Sequence, residues 1–442
     1  MSTELTRGLG LAGALVLILG YIVGGSIFVL PAELGASAGP GVSASFAIAG
    51  VVALFAAGVT AQVARAHPTS GGNYVAVSRR LSPFWGFSII WMAILANAMG
   101  NPLIAYAFAQ YLQVFFPSLP LMAIALGVFA VFTLLNLVGV VFANGIQAAL
   151  VVLMMVALLV FGAVGTATAD PTLWVPFAPN GWEAILIAAL PAYFSYAGFL
   201  VLAEMGDEVR DPRRTIPIAI GIAFIVLVAT YSLVPLALTG HLPWAELKDQ
   251  SAGISVAAAR FLPAWTIPVI TLAALAAAAT SINGSIMSQA RAFLAAGRDG
   301  VLPSVFATVG ERSRVPVWGI VVTSILSVIG ILIGAELEQY AIVTVVCFMA
   351  FQILVGLAVL RLPRSTGGSV LDGRFMRWFL AGGAILTSSL LLLGGLSEDP
   401  SALAVFGGWM ALGIVYYLWR RSVLRGRGLD LSAIMREETA RA

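Results

Sequence analysis

Gly20-Tyr21-Ile22-Val23-Gly24-Gly25-Ser26-Ile27-Phe28 lies in the middle of an apolar run that begins near Leu9 and continues to about residue 36. Two adjacent glycines and a serine interrupt the run where it would be deepest in a bilayer. A backbone that leaves the helix there exposes N–H and C=O groups that lipid cannot satisfy. A second apolar run is interrupted in the same way at Pro191-Ala192-Tyr193-Phe194-Ser195-Tyr196-Ala197-Gly198-Phe199. Either glycine cluster alone reads first as packing, because small residues let membrane helices approach closely. At matched positions the pair reads as two broken helices around a ligand, with half-helix N-termini facing an anionic group and freed carbonyls facing a cationic one.

The surrounding composition sets the class. Of 442 residues, 60% are hydrophobic and 10% charged, which excludes a chain of soluble domains and indicates an all-α polytopic membrane protein. Twelve runs are long enough to cross the hydrocarbon core, at 9–36, 42–65, 84–115, 119–141, 144–168, 183–209, 217–240, 264–296, 315–334, 337–361, 376–396 and 402–424. The first run lacks a small-residue cleavage site and is expected to remain as a span. With that count, Lys248 and Arg260 alone of the 23 basic residues fall outside, so both termini are expected in the cytoplasm of a multi-pass plasma-membrane protein. Cys347 is the single cysteine and sits in an apolar segment, so no intrachain disulfide is possible.

Counting five spans from each interruption gives two sets with the broken helix first in each. Five is odd, so the second set starts on the opposite side of the membrane. The reading is a transporter core over 1–361 with inverted repeats at about 9–168 and 183–361, which brings the two breaks together at the centre. Spans 11 and 12, over 376–424, are additional, and 425–442 is a cytoplasmic tail. Between spans, 66–83 reads as a short interfacial helix or a plain loop. Segment 241–263, edged by Trp244 and Trp265, reads as an external interfacial helix, a lid or a plain loop.

The breaks supply the candidate binding residues. At the first, the N–H groups of Gly25, Ser26 and Ile27 would start a half-helix and suit a carboxylate, with Ile22 and Gly24 beside them. At the second, Phe194, Ser195 and Ala197 are candidates to offer free carbonyls, Gly198 leaves room, and Phe199 is placed to cap the site as an outer gate. Phe194 and Phe199 read equally well as packing aromatics. Of the acidic residues only Glu33 and Glu204 fall well within spans, both toward their ends, and none sits at a break. A cationic solute would want one there, so a small neutral zwitterion is expected. Asn97 and Asn101, four residues apart on span 3, share a face as polar lining or interhelical glue. No Gly-x-x-x-x-Gly-Lys-Ser/Thr motif and no catalytic constellation occurs, so neither a primary pump nor an enzyme is indicated.

These residues resemble the amino acid–polyamine–organocation permeases. Gly24-Gly25-Ser26-Ile27-Phe28 with Pro31 is similar to the family's Gly-Ser/Thr-Gly-Ile-Phe element, with Gly25 at the Ser/Thr position and Ser26 at the last glycine. Pro68-Thr69-Ser70-Gly71-Gly72-Asn73-Tyr74 followed by Gly86-Phe87 and Trp91 resembles its loop after span 2. Glu208-Val209-Arg210-Asp211-Pro212-Arg213-Arg214-Thr215-Ile216-Pro217 and Arg298-Asp299-Gly300-Val301-Leu302-Pro303 match after spans 6 and 8. The resemblance implies the 5+5 inverted-repeat fold, alternating access and substrate held by backbone at the breaks. Where proton-coupled members carry a span-5 lysine, this chain has Met154, and no span contains a lysine.

Span 8 instead offers Ala277, Thr280 and Ser281 as oxygen ligands, and the unwinding first span offers the carbonyls of Gly20 and Val23. Five neutral oxygens suit a hard monovalent cation, and the set resembles the sodium site of related symporters. The alternative is that both hydroxyls bond back along their own helix. The expectation is secondary transport of a neutral amino acid with Na+ as coupling ion. A proton-coupled symporter, an exchanger or exporter of small hydrophobic amino acids, and a non-transporting sensor are the alternatives. Membrane lipid is the other expected partner, in a monomer or homodimer; neither a nucleic acid nor a cofactor is expected.

Overall fold

A computed structural model describes residues 10–67, 72–139, 144–204, 209–250, 252–310, 313, 315–362, 373–398 and 400–426. The described chain is helical throughout, with no strand. The first interrupted run becomes α1 (Leu11–Ile22) and α2 (Ser26–Ala38), followed by α3 (Val42–Ala66). A short helix α4 (Gly72–Arg80) precedes the long α5 (Pro83–Leu112), α6 (Leu121–Val138) and α7 (Asn144–Ala167). The second interrupted run gives α8 (Gly181–Ala192), continued by a 3-10 helix over Tyr193–Glu204. Then come α9 (Pro212–Thr239), α10 (Gly253–Phe261), α11 (Thr266–Arg298), α12 (Val317–Ile333), α13 (Leu337–Leu360), α14 (Arg374–Glu398) and α15 (Pro400–Gly426).

Among the described residues, nine stretches are long and apolar enough to cross a membrane, with Leu11–Ala66 counted as one. Twelve were expected from the sequence, and three local causes account for the difference. The turn at Gly39–Gly41 is so tight that α1 to α3 read as one run. α8 stops after 12 residues because its run continues as 3-10 helix. α12 has 17 residues, short of a comfortable span.

Segment 66–83 contains helix α4, while 68–71 lie outside the described residues. Segment 241–263 forms a 3-10 turn over Trp244–Asp249 and then α10, both packed on α2. Gly35 lies so close to Leu247, and Gly253 to Ala32, that a Cβ would approach the facing carbon at 2.7 Å in each case. Trp265, at the edge of this segment, is 72% exposed, as an interfacial anchor would be.

Two of the sequence motifs prove to set helix ends, one a start and one a stop. Asp211 adopts φ 44° and ψ 62°, and its carbonyl accepts from the N–H groups of Arg214 and Thr215, which turns the chain into α9 with Pro212 in the first turn. Gly300, at φ 71°, ends α11, and the Leu302 N–H returns to Ala296 O at 3.0 Å. Arg420 of α15 donates to the carbonyls of Gly300 and Leu302. α15 is also fastened by a reciprocal pair: the indole N–H of Trp91 donates to Trp409 O and that of Trp409 to Trp91 O, with the rings stacked at 4.7 Å. The centre of the molecule is formed by α1, α2, α5, α11 and α13, with α3 buried against α8, α9 and α14.

Candidate binding site at two helix breaks

α1 ends at Ile22 and α2 starts at Ser26, so the chain leaves the helix over Val23–Gly25. Gly24 has φ +27°, in the range that disfavours a side chain. A Cβ on it would stand 3.0 Å from the Ser281 hydroxyl. The N–H of Val23 still reaches Leu19 O, and the first backbone donor of α2 to find a carbonyl is Phe28, on Gly25 O at 3.2 Å. The N–H groups of Gly25, Ser26 and Ile27 donate to no backbone carbonyl outside the helices. They form the positive end of a 13-residue half-helix.

Side chains from distant helices take the carbonyls around this break. Tyr231 of α9 donates to Ile22 O at 3.3 Å and Tyr111 of α5 to Phe28 O at 2.6 Å. Thr280 Oγ1 of α11 lies 3.0 Å from Ala277 O and 3.4 Å from Gly20 O. The Ser281 hydroxyl is buried without a partner. Of the expected cation ligands, Gly20, Ala277 and Thr280 are therefore drawn together, and Ser281 faces Gly24 one residue beyond Val23. Met154, at the position where a lysine would stand, is fully buried on α7, whose Val151 packs on Gly20.

The second break is less abrupt. Tyr193 and Tyr196 are buried at 1% and 0% exposure, and Tyr196 donates to Phe46 O of α3 and meets Tyr231 edge-on at 4.9 Å. Gly198 brings the two breaks into contact, because a Cβ there would come within 2.8 Å of Ile22 Cα. Phe194 crosses to α5, where a Cβ on Gly100 would stand 3.1 Å from its ring.

A cavity of about 120 Å³ lies where the breaks meet α5, α11 and α13. One ordered water needs about 10–15 Å³ by the same measure, so the space suits a small solute. Of the predicted residues, Ile22, Gly24, Ser26, Phe194 and Ala197 line it, as does Ser281. Gly25, Ile27, Ser195 and Phe199 do not. Gly25 is pressed against Ala278 and Ala107, with a Cβ separation of 2.9 Å to the first. Ile27 and Ser195 are fully buried, and Phe199 is buried and packs on Phe224 at 6.0 Å.

Among the described residues, no charged side chain lines the cavity. Its polar wall comes instead from residues the break-centred reading left in the background: Asn97 and Asn101 on α5, Ser285, Ser288 and Gln289 on α11, and Thr344 on α13. Asn101 joins Ser327 at 2.8 Å and Ser285 at 2.6 Å, so it serves as glue between helices and as lining at once. The spacing 281, 285, 288, 292 on α11 was available as a signal, since it marks one helical face. A larger groove of about 590 Å³ between α5 and α6 is walled by apolar residues such as Phe108, Leu112 and Val131 and offers a zwitterion nothing.

Outside the spans, His67 at the end of α3 is held neutral, its pKa lowered from 6.5 to about 4 by burial and then by the nearby Arg79 and Arg80 guanidiniums.

A family model described as amino acid permease matches residues 9–415. An uncharacterized transporter of Mycobacterium tuberculosis is 32% identical over 425 residues, covering 96% of this chain and 93% of that protein. The branched-chain amino acid permease BcaP of Bacillus subtilis is 27% identical over 333 residues, covering 71% and 72%. Cationic amino acid transporter 9, chloroplastic, of Arabidopsis thaliana is 29% identical over 329 residues, covering 69% of this chain and 58% of the relative.

Proposed function

Because the chain belongs to the amino acid permease family, we propose that it is a secondary transporter of neutral amino acids, driven by Na+ symport and working by alternating access. The observation that carries this is the uncharged cavity in contact with both breaks. A zwitterion brings its own two charges and needs only dipoles to meet them. The open N–H groups at the start of α2 suit its carboxylate. The Ile22 carbonyl, already a hydrogen-bond acceptor for Tyr231, has a second lone pair for its ammonium. A cationic side chain would enter with no carboxylate to pair it, at a desolvation cost that opposes binding.

Na+ would be held by the carbonyls of Gly20, Val23 and Ala277 with the hydroxyls of Thr280 and Ser281, of which Thr280 lies 3.4 Å from Gly20 O and 3.0 Å from Ala277 O. The buried, unpartnered Ser281 hydroxyl supports this reading, because an orphaned polar atom at such a point is stabilised by a cation. The proposal includes twelve spans in a 5+5 inverted repeat plus two, both termini in the cytoplasm, and residence in the plasma membrane.

The test is uptake of labelled neutral amino acids into proteoliposomes under an imposed Na+ gradient, a proton gradient, or neither. Na+-driven accumulation that disappears in Thr280→Ala/Ser281→Ala is the expected result. Uptake indifferent to Na+ removes the ion site, and uptake following the proton gradient points to another coupling route.

A further inference from the structure

We propose that Gln289, held in place by Asn97, forms a subsite that selects amino acids whose side chain carries a neutral oxygen, a hydroxyl or a carboxamide. This rests on the reading of the cavity as the amino acid site. Hydrogen bonds fix the orientation of both amides. Asn97 Nδ2 donates to Ala93 O at 2.8 Å and to Gln289 Oε1 at 2.7 Å. A backbone carbonyl only accepts, so the Asn97 amide cannot be turned over, and Gln289 must present its oxygen to it. The Gln289 NH2 is thereby left as the spare group. Gln289 lines the cavity, is 3% exposed, and its Nε2 is buried with no partner.

Its polar neighbours are already engaged. Asn101 uses its amide on Ser327 and Ser285, and Thr344 donates to Tyr340 O. Gln289 is thus an amide on the cavity wall with a donor left over, and a buried donor without an acceptor costs stability that a suitable ligand restores. Placement agrees with this role. Helical side chains lean toward their own N-terminus, so the Gln289 amide lies back toward the level of Ser285. That level is four residues, or about 6 Å, along α11 from Ser281 beside the first break. A side chain extending from an α-carbon at the break covers that distance.

The ligand class follows by elimination. A side-chain carboxylate would be buried without a cation, since no basic residue lines the cavity among the described residues. An ammonium would meet the Gln289 donor with another donor. A branched aliphatic chain would leave the donor unpaired. A hydroxyl or carboxamide oxygen accepts from Nε2 and carries no charge. Phe194, Phe348 and Phe351 wall the same space with apolar surface, which leaves Gln289 as the discriminating contact.

The experiment compares initial uptake of labelled glutamine, serine and leucine by the full-length protein in proteoliposomes, wild type against Gln289→Met. Wild type should favour glutamine and serine over leucine by about tenfold or more in kcat/KM. Gln289→Met should remove that preference through a rise in KM for glutamine and serine, and a melting temperature in detergent matching wild type reports an intact fold. Asn97→Leu, which frees the Gln289 amide from its orienting bond, should lower the same ratio and decides the matter if Gln289→Met yields no folded protein. Equal uptake of leucine and glutamine by wild type, or a ratio unchanged in the variants, overturns the subsite while the amino acid site stands. Failure of wild type to take up any neutral amino acid overturns the cavity reading, and the subsite with it.

Discussion

The two helix breaks solve the same problem in opposite ways. The first is compressed into Val23–Gly25, with a glycine at positive φ, and hands its carbonyls to side chains from three other helices. The second spreads over the 3-10 helix Tyr193–Glu204, which keeps its own i to i+3 bonds and is wrapped in buried tyrosines. An abrupt break frees polar groups and needs space; a gradual one frees few and can carry bulk. The proposed ligand recognition is therefore weighted toward the first break, with the second acting as a wall that reaches it through Gly198.

The largest effect expected from this asymmetry is at Gly25. A Cβ there already stands 2.9 Å from that of Ala278 and 3.3 Å from that of Ala107, and leucine adds further atoms. Gly25→Leu should cost upward of about 3 kcal/mol through overpacking and abolish uptake, as measured by thermal melting in detergent and by transport. Next is Gly198→Ala, where the new methyl meets the backbone of Ile22 at 2.8 Å and has no flexible side-chain end to push aside. A loss of about 1–3 kcal/mol is expected, with raised KM because the breaks are forced apart. Should Gly198→Ala behave as wild type in both assays, the contact between the breaks has no functional weight.

Smaller effects separate the breaks more finely. Tyr231→Phe and Tyr111→Phe each delete a hydroxyl that serves a carbonyl of the first break and should cost about 1 kcal/mol apiece. Tyr196→Phe removes a bond to α3 instead, at 3.2 Å. It should match the other two in stability and leave KM for substrate unchanged. A KM shift in Tyr196→Phe larger than in Tyr231→Phe would reverse the assignment of recognition to the first break.

Much of this was legible in the sequence because membrane helices obey length and composition rules that need no tertiary information. Gly24-Gly25-Ser26 announced the first break only through its match with the second interruption, since glycines at that depth alone read first as helix packing. The side each residue faces was not legible: Gly25 and Gly24 are neighbours, yet one packs on Ala278 and the other borders the cavity. At Phe199 the 3-10 winding, which rotates residues differently from an α-helix, sets the ring against Phe224. Nor could sequence pair Tyr231 with Ile22, 209 positions away, or give Asn97 its partner Gln289. The polar face of span 8 was readable by spacing, and attention to Thr280 and Ser281 alone passed over its continuation.

The smallest effect is a control on the comparison, because neither break contributes a carboxylate, histidine or basic group to the cavity among the described residues. A pH dependence of stability between about pH 4 and 6.5 should arise elsewhere, and His67 at the α3–α4 junction is a described source. Its pKa is about 4 in the folded protein against an ordinary 6.5. Between those values the unfolded chain binds more protons than the folded one, so stability rises with pH. The contribution is complete above 6.5 and is lost as pH falls toward 4. His67→Gln should flatten the melting temperature across that window while leaving uptake at pH 7.5 unaltered. If the slope persists in His67→Gln, the acid-sensitive group lies elsewhere. If uptake itself falls with the variant, the C-terminal end of α3 is tied to the breaks more closely than their lining implies.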